Sequence, residues 1–301
     1  MRFAITGASG LIGSALHRFL VALGHEVVPV VRRPPAAGEA GWDPEIGRID
    51  LAPLEGLDGV VHLAGENIAT RWTEARLARI RRSRVAGTRL LAEGLARLNQ
   101  RPRRFISASA IGFYGDRGDE ILTEASPPGQ GDLAALVTAW EAAAEPARQA
   151  GIPLVTPRMG IVLSPAGGAL AKMLPVFRTG AGGTIGSGRQ WISWLALDDA
   201  ISGLYYLLTS ASLQGPVNLV SPTPVTNREF TETLGSILSR PTVMAVPAFA
   251  IRLALGRHMA DSTVLASTRC IPARLSEAGF TFGYPALGAA LRHVLVREAH
   301  S

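Results

Sequence analysis

Gly7, Gly10 and Gly13 stand three residues apart in the run TGASGLIG at positions 6–13. Glycines at this spacing suit the pyrophosphate of a dinucleotide. One allows a tight turn out of a strand, one lets the backbone approach the phosphates, and one lets helix and strand pack closely. The run lies between an apolar strand-like segment, Arg2–Thr6, and an amphipathic helix-like segment, Leu11–Ala22, with a second strand, Glu26–Val31, on schedule. The loop backbone at Ala8 and Ser9, and the N–H groups of Leu11, Ile12 and Gly13 at the helix start, then face the phosphates. A plain turn with no ligand is the competing reading of the triplet alone. The strand–loop–helix context favours the phosphate site.

The end of the second strand chooses between dinucleotides. An Asp or Glu there would bond the adenosine ribose and select NAD. Arg32 and Arg33 stand there instead. A guanidinium fork matches a 2′-phosphate, so NADP(H) is expected ahead of NAD. The competing reading is two solvated arginines in an arginine-rich chain.

Other reactive residue types offer less. Six histidines show no metal-ligand spacing and the single cysteine, Cys270, cannot form an internal disulfide, so no metal is expected. His62 sits in the apolar segment GVVHL and reads as a core histidine. Ser109 lacks the G-x-S-x-G surroundings of a hydrolase nucleophile.

The elements that must position these residues alternate between strand-like and helical segments, which predicts an α/β fold: a Rossmann-type, doubly wound parallel sheet with a smaller C-terminal lobe. Residues 59–63 and 103–107 read as strands. Residues 73–98 read as a long helix, in which Leu77, Ile80, Leu91, Leu95 and Leu98 keep helical spacing. Residues 133–150 read as another helix, and 154–157 as a strand. The dinucleotide domain is expected over residues 1–165. The smaller lobe is expected over 166–301, interleaved with late sheet elements at about 190–195 and 216–220, and a last helix over 286–297. Residues 38–57 read as loop with one short strand.

The chain carries a formal net charge of +6, with Lys172 the one lysine among 30 basic residues. The arginines are dispersed, so no nucleic-acid partner is expected. No apolar run spans a bilayer and no signal-peptide pattern opens the chain, so the expectation is a cytoplasmic protein without a membrane partner.

TGASGLIG, HLAG (62–65) and SASAIGFYG (107–115) together resemble an extended short-chain dehydrogenase/reductase. AGENI (64–68), RWT (71–73), SRVAGT (83–88), AWEAAA (139–144), GGALAKMLPVF (167–177) and GSGRQWISWL (186–195) narrow the resemblance. They are similar to the branch described as NAD-dependent epimerase/dehydratase-like or SulA-like. VPAFAIRLALG (246–256) and PARLSEAGFTFGYP (272–285) resemble that branch's C-terminal domain of unknown function. The resemblance implies an epimerase- or oxidoreductase-like activity on a small-molecule substrate that it does not identify. It also implies cofactor contacts from Leu63, Ala64, Gly65 and Glu66, from Ser107, and from Pro157 and Met159, and a homodimer through the two long helices.

Family members use Ser, Tyr and Lys, usually with Asn, for general acid–base chemistry. Ser109 matches the serine. None of the four tyrosines, Tyr114, Tyr205, Tyr206 and Tyr284, has a lysine four places on. Leu136 and Trp140 occupy the Tyr and Lys places, and Arg84 stands for the asparagine. Tyr114 is the substitute proton carrier nearest to Ser109. Arg71, Arg81 and Arg84 are candidates for holding an anion. A non-catalytic NADP(H)-binding sensor or interaction protein is the alternative function.

Overall fold

The computed structural model describes residues 1–68 and 70–298. Its centre is a large, mostly parallel sheet covered on both faces by helices, a Rossmann-type doubly wound α/β architecture. The first half supplies strands β1 (Arg2–Thr6), β2 (Glu26–Val31), β3 (Ala40–Asp43), β4 (Arg48–Ile49), β5 (Gly59–His62), β6 (Phe105–Ser107), β7 (Ser109–Ala110) and β8 (Ile121–Leu122). It also supplies helices α1 (Leu11–Ala22), α2 (Glu74–Ala96), α3 (Asp132–Ala142) and α4 (Glu145–Gln149). Then come β9 (Leu154–Met159), β10 (Ile161–Leu163), α5 (Gly168–Arg178), β11 (Gly183–Ile185), β12 (Trp191–Ile192), β13 (Trp194–Ala196), α6 (Leu197–Thr209) and β14 (Gly215–Leu219). The sheet runs β14-β9-β6-β5-β1-β2-β3-β4, with β7 beside β9. Sequence order reverses at β1, the switch point where open α/β sheets form their ligand crevice.

Near-continuous apolar strands are what burial on both faces demands. On one face Phe3, Ile5, Val61 and Ile106 pack against Leu16 and Leu20 of α1 and Leu204 and Leu207 of α6. On the other, Ala4, Val60 and Phe105 meet Leu91 and Leu95 of α2. These α2 leucines are among those whose spacing predicted the helix.

The single helix expected over 133–150 is two. Pro146 lies in the first turn of α4, where its missing N–H costs nothing, whereas inside a continuous helix it would break the ladder. Residues 190–195 differ too. They form β12 and β13, which sit outside the large sheet and pair with β15 (Val225–Thr226) and β10. Residues 38–57 hold a short hairpin, β3 and β4, rather than one strand.

The chain after β14 carries α7 (Asn227–Leu238), β16 (Met244–Val246), α8 (Ala248–Leu255), α9 (Arg257–Ser262), β17 (Arg269–Cys270), α10 (Ala273–Glu277) and α11 (Leu287–Glu298). Its core joins Leu170 and Leu174 of α5 to Phe230 and Leu234 of α7 and Leu291 of α11. No helix among the described residues is long and apolar enough to cross a membrane.

Candidate cofactor and active site

The glycine loop is built as its spacing requires. Gly7 has φ +70°, and a Cβ there would stand 2.9 Å from the Ala64 nitrogen. A Cβ on Gly13 would stand 2.1 Å from the Gly7 carbonyl oxygen. Neither position admits a side chain without moving backbone, so strand, loop and helix are locked together. Gly10 precedes α1, and no side chain caps that helix. Its first N–H groups are left for a ligand, at the positive end of the helix dipole. Ala8 is half-buried beside them, and Ser9 is exposed. Leu11 and Ile12 are half-buried at the helix start, and Ile12 packs against the apolar core.

Both arginines after β2 are exposed, but they differ. Arg33 donates to both carboxylate oxygens of Glu39, at 2.7 and 2.6 Å, and to the Pro34 carbonyl. Arg32 makes no ion pair among the described residues and is the free guanidinium of the two.

Leu63, Ala64 and Gly65 run from the end of β5 past Gly7, and the N–H groups of Leu63 and Ala64 donate to Thr6 Oγ1 at 3.1 Å. Glu66 pairs with Arg76 at 3.0 Å. Ser107 ends β6 fully buried, and its hydroxyl has no partner among the described residues. Pro157 is buried within β9 opposite Val217, while Met159 ends that strand half-buried against the core. An uncapped helix start, glycines without room for a Cβ and an orphaned hydroxyl at a strand end fit a bound dinucleotide.

His62 is the hub of a buried polar chain. Thr6 Oγ1 already accepts two backbone N–H bonds, so its own proton points to His62 Nδ1 at 2.7 Å. Nε2 therefore carries the ring proton and donates to Thr88 Oγ1 at 3.0 Å, which also accepts Trp140 Nε1–H at 3.0 Å. Burial, reinforced by Arg84, holds the imidazole down to about 3, so it is neutral and no general base at neutral pH. Below pH 6.5 the unfolded chain takes up a proton here that the folded chain refuses until about pH 3. Stability should therefore fall on acidification through that window, by at most about 1.4 kcal/mol per pH unit from this group. Thermal unfolding between pH 6.5 and 4 should show a steeper loss for the wild type than for His62→Gln. Equal slopes would contradict this assignment.

Arg84 takes a distinctive place beside this chain. It donates to the Glu66 carbonyl at 2.9 Å, packs against Gly65 and lies 5.0 Å from the Trp140 ring centroid. Burial lowers its pKa to about 10, against the pull of Glu66, and it stays charged.

A second buried network lies where β7, β9 and β14 adjoin. Ser109, Arg158 and Asn218 are register neighbours across these strands, so their side chains share a face of the sheet. Ser109 Oγ donates to Glu141 Oε1 at 2.5 Å. Arg158 pairs bidentately with Glu141 at 2.8 and 2.9 Å and donates to the Tyr114 hydroxyl at 3.0 Å. Tyr114 donates in turn to Asn218 Oδ1 at 2.7 Å. Burial works against the Arg158 charge, yet the Glu141 hydrogen bonds and charge outweigh it and raise its pKa. Burial pushes the Tyr114 phenol up to about 12. Ser109 is 1% exposed and Tyr114 0%, so both candidate catalytic hydroxyls are interior, with their protons directed at Glu141 and Asn218.

The structure thus brings Ser109 and Tyr114 together through two residues that sequence reasoning missed, Glu141 and Arg158. The one signal for either was a charge inside an otherwise apolar segment, which needs a partner when buried. Leu136 is buried among Trp72, Ile80 and Met259. Among the described residues no group of His, Cys, Asp or Glu could hold a metal ion.

Comparison with known proteins agrees with this geometry. Residues 3–219 match the NAD dependent epimerase/dehydratase family, and residues 246–294 match a domain of unknown function, DUF1731. An epimerase family protein of Mycobacterium bovis is 44% identical over 296 residues, covering 98% of this chain and 97% of that protein. The crystal structure of the human epimerase family protein SDR39U1 (isoform 2) with NADPH is 35% identical, with a TM-score of 0.89 over 98% of this chain and 99% of that one. A nucleoside-diphosphate sugar epimerase from Corynebacterium glutamicum is 40% identical, with a TM-score of 0.80 over 98% of this chain and 58% of that chain. The chain belongs to the NAD-dependent epimerase/dehydratase family, with SDR39U1-like epimerase family proteins as relatives and a DUF1731 domain of its own after the epimerase region.

Proposed function

We propose that this chain is an NADP(H)-binding, epimerase- or oxidoreductase-like protein that works without the Tyr-x-x-x-Lys pair. The observation that carries the reading is the Gly7–Gly13 turn closed against Ala64, with an uncapped helix start beside it. The NADPH of the human relative supports the phosphorylated dinucleotide, and so does the free Arg32. The bound cofactor would supply a hydride donor or acceptor. This chain's residues would hold its pyrophosphate at α1, its 2′-phosphate at Arg32 and its ribose near Ser107.

In the catalytic reading Ser109 takes the family serine's part. Glu141 fixes the direction of its proton, leaving the Ser109 oxygen to accept from a substrate hydroxyl. Tyr114 stays a phenol at neutral pH and serves that network. A second reading, an NADP(H)-binding sensor or interaction protein without turnover, is favoured by the interior position of both hydroxyls and by Leu136 at the tyrosine place. The dispersed arginines favour a small molecule over nucleic acid as partner, and a cytoplasmic location stays part of the proposal. The homodimer through α2 and α3 stays part of the proposal.

Nicotinamide fluorescence tests the shared premise. NADPH should bind more tightly than NADH, and equal weak binding of the two would sink the premise. NADPH oxidation across aldehydes, quinones and nucleotide sugars then separates the readings. Turnover that disappears in Ser109→Ala supports catalysis. NADPH binding with no turnover across the panel supports the sensor.

A further inference from the structure

At their N-terminal ends α2 and α3 form a half-open cavity of about 230 Å³. Its wall includes Trp72, Leu77, Leu133 and Leu136, together with Arg81 and Asp132. On α2, Leu77, Arg81, Arg84 and Thr88 follow one another at helical spacing along one stripe. On α3, Asp132, Leu136 and Trp140 do the same. The two stripes face each other. Trp140 bonds Thr88 and stacks with Arg84, and the next turn outward opens into the cavity. Arg84 packs in turn against Gly65, so the cavity begins about one helical turn, roughly 5 Å, from side chains touching the loop after β5.

The lining decides what fits. A sugar brings several hydroxyls, and each one desolvated against an apolar wall without a partner costs about 1–3 kcal/mol. Four apolar side chains, one of them an indole, suit a flat apolar body instead. Two charged groups are also present. Asp132 lies 3.3 Å from His258. Arg81 makes no ion pair among the described residues and is exposed, so its guanidinium is open to an anion. Size narrows the choice further. An apolar cavity of about 150 Å³ holds benzene, so this one accommodates a single ring with a substituent.

We propose that this cavity binds a small aromatic carboxylate, its ring against Trp72, Leu77, Leu133 and Leu136 and its carboxylate on Arg81. Such a compound, rather than the sugar of a nucleotide sugar, is then the substrate class. The substrate role rests on the NADP(H) reading; the binding itself does not.

Calorimetric titration of the full chain with benzoate, methyl benzoate and UDP-glucose, with and without NADPH, tests this. Benzoate should saturate with a dissociation constant on the order of 1 mM. The neutral ester should bind about tenfold more weakly, and Arg81→Gln should lose the same factor for benzoate while leaving the ester unchanged, as removal of one charged hydrogen bond implies. Arg81 is an exposed helix residue, so the variant should fold. Absence of saturation, an unchanged benzoate affinity in Arg81→Gln, or displacement of benzoate by UDP-glucose overturns the proposal. Light scattering on the same samples covers the rival occupant. A dimer that dissociates in Arg81→Gln gives the groove to a second copy and equally overturns the proposal. Benzoate binding that persists in a chain unable to bind NADPH upholds the cavity assignment and removes only the cofactor reading.

Discussion

Arg158→Met should lower the unfolding free energy by about 3–5 kcal/mol, the usual cost of leaving one member of a buried ion pair alone. The Arg158 side chain is 4% exposed and that of Glu141 15%. Both Glu141 oxygens accept from the guanidinium, which also lies 3.4 Å from the Phe113 ring centroid and donates to Tyr114. Without it Glu141 keeps Ser109 as its one donor among the described residues, and the Tyr114 hydroxyl loses the bond it accepts. The second step of the cycle is diagnostic. Glu141→Leu added to Arg158→Met removes the stranded charge, and the pair should recover much of the loss, since apolar replacement of a whole buried pair is often neutral. Recovery should stop short of full, because Ser109 then has no acceptor for its buried proton, a deficit of about 1–3 kcal/mol. Chemical denaturation of the two single variants and the double variant measures all three values. A loss below about 1 kcal/mol for Arg158→Met would show that the pair is not an energetic centre of this sheet edge.

The contrast between the glycine loop at the middle of the sheet and the network at its β14 edge explains what the amino-acid order discloses. The glycine loop is local chemistry. Gly7, Gly10 and Gly13 act within one turn, and the strand and helix they join carry their own periodicities, so both the elements and the glycine turn between them could be read directly. The network around Arg158 is assembled from partners far apart in the chain. Glu141 is 17 residues away, Tyr114 is 44, and Asn218 reaches Tyr114 across 104. Parallel register, not local pattern, places Ser109, Arg158 and Asn218 in one row. Ending the predicted strand at Pro157 also left Arg158 outside it, one residue short of the row. The helix break at Pro146 had a local signal in the proline, which the single helix expected over 133–150 passed over. The positions of β12 and β13 were not, because two- and three-residue strands take their partners from tertiary contact. At the second arginine the same distinction appears on a smaller scale. Arg32 and Arg33 look equivalent in sequence, and only the fold shows that Glu39 claims one of them.

That asymmetry gives the cofactor prediction its sharpest form. Arg32→Glu should weaken NADPH binding about 100-fold and change NADH binding by less than about threefold. The reasoning is a difference between two ligands that share everything except the 2′-phosphate. A guanidinium on that phosphate contributes about 1.5–3 kcal/mol as a charged hydrogen bond. Reversing the charge removes this and adds repulsion, while the carboxylate it introduces can bond the free ribose hydroxyl of NADH, as acidic residues at this strand end do in NAD-binding proteins. Arg33→Glu makes the control. Arg33 already serves Glu39, so its loss should disturb the 33–39 turn and reduce affinity for both dinucleotides together, leaving their ratio within about threefold of the wild type. Raised salt should narrow the wild-type preference, because the contact is exposed and screened, and should move the Arg32→Glu ratio the opposite way, toward NADPH, because the added repulsion is screened too. If Arg33→Glu changes the NADPH-to-NADH ratio and Arg32→Glu does not, the Glu39 pair opens on binding and the roles of the two arginines are exchanged.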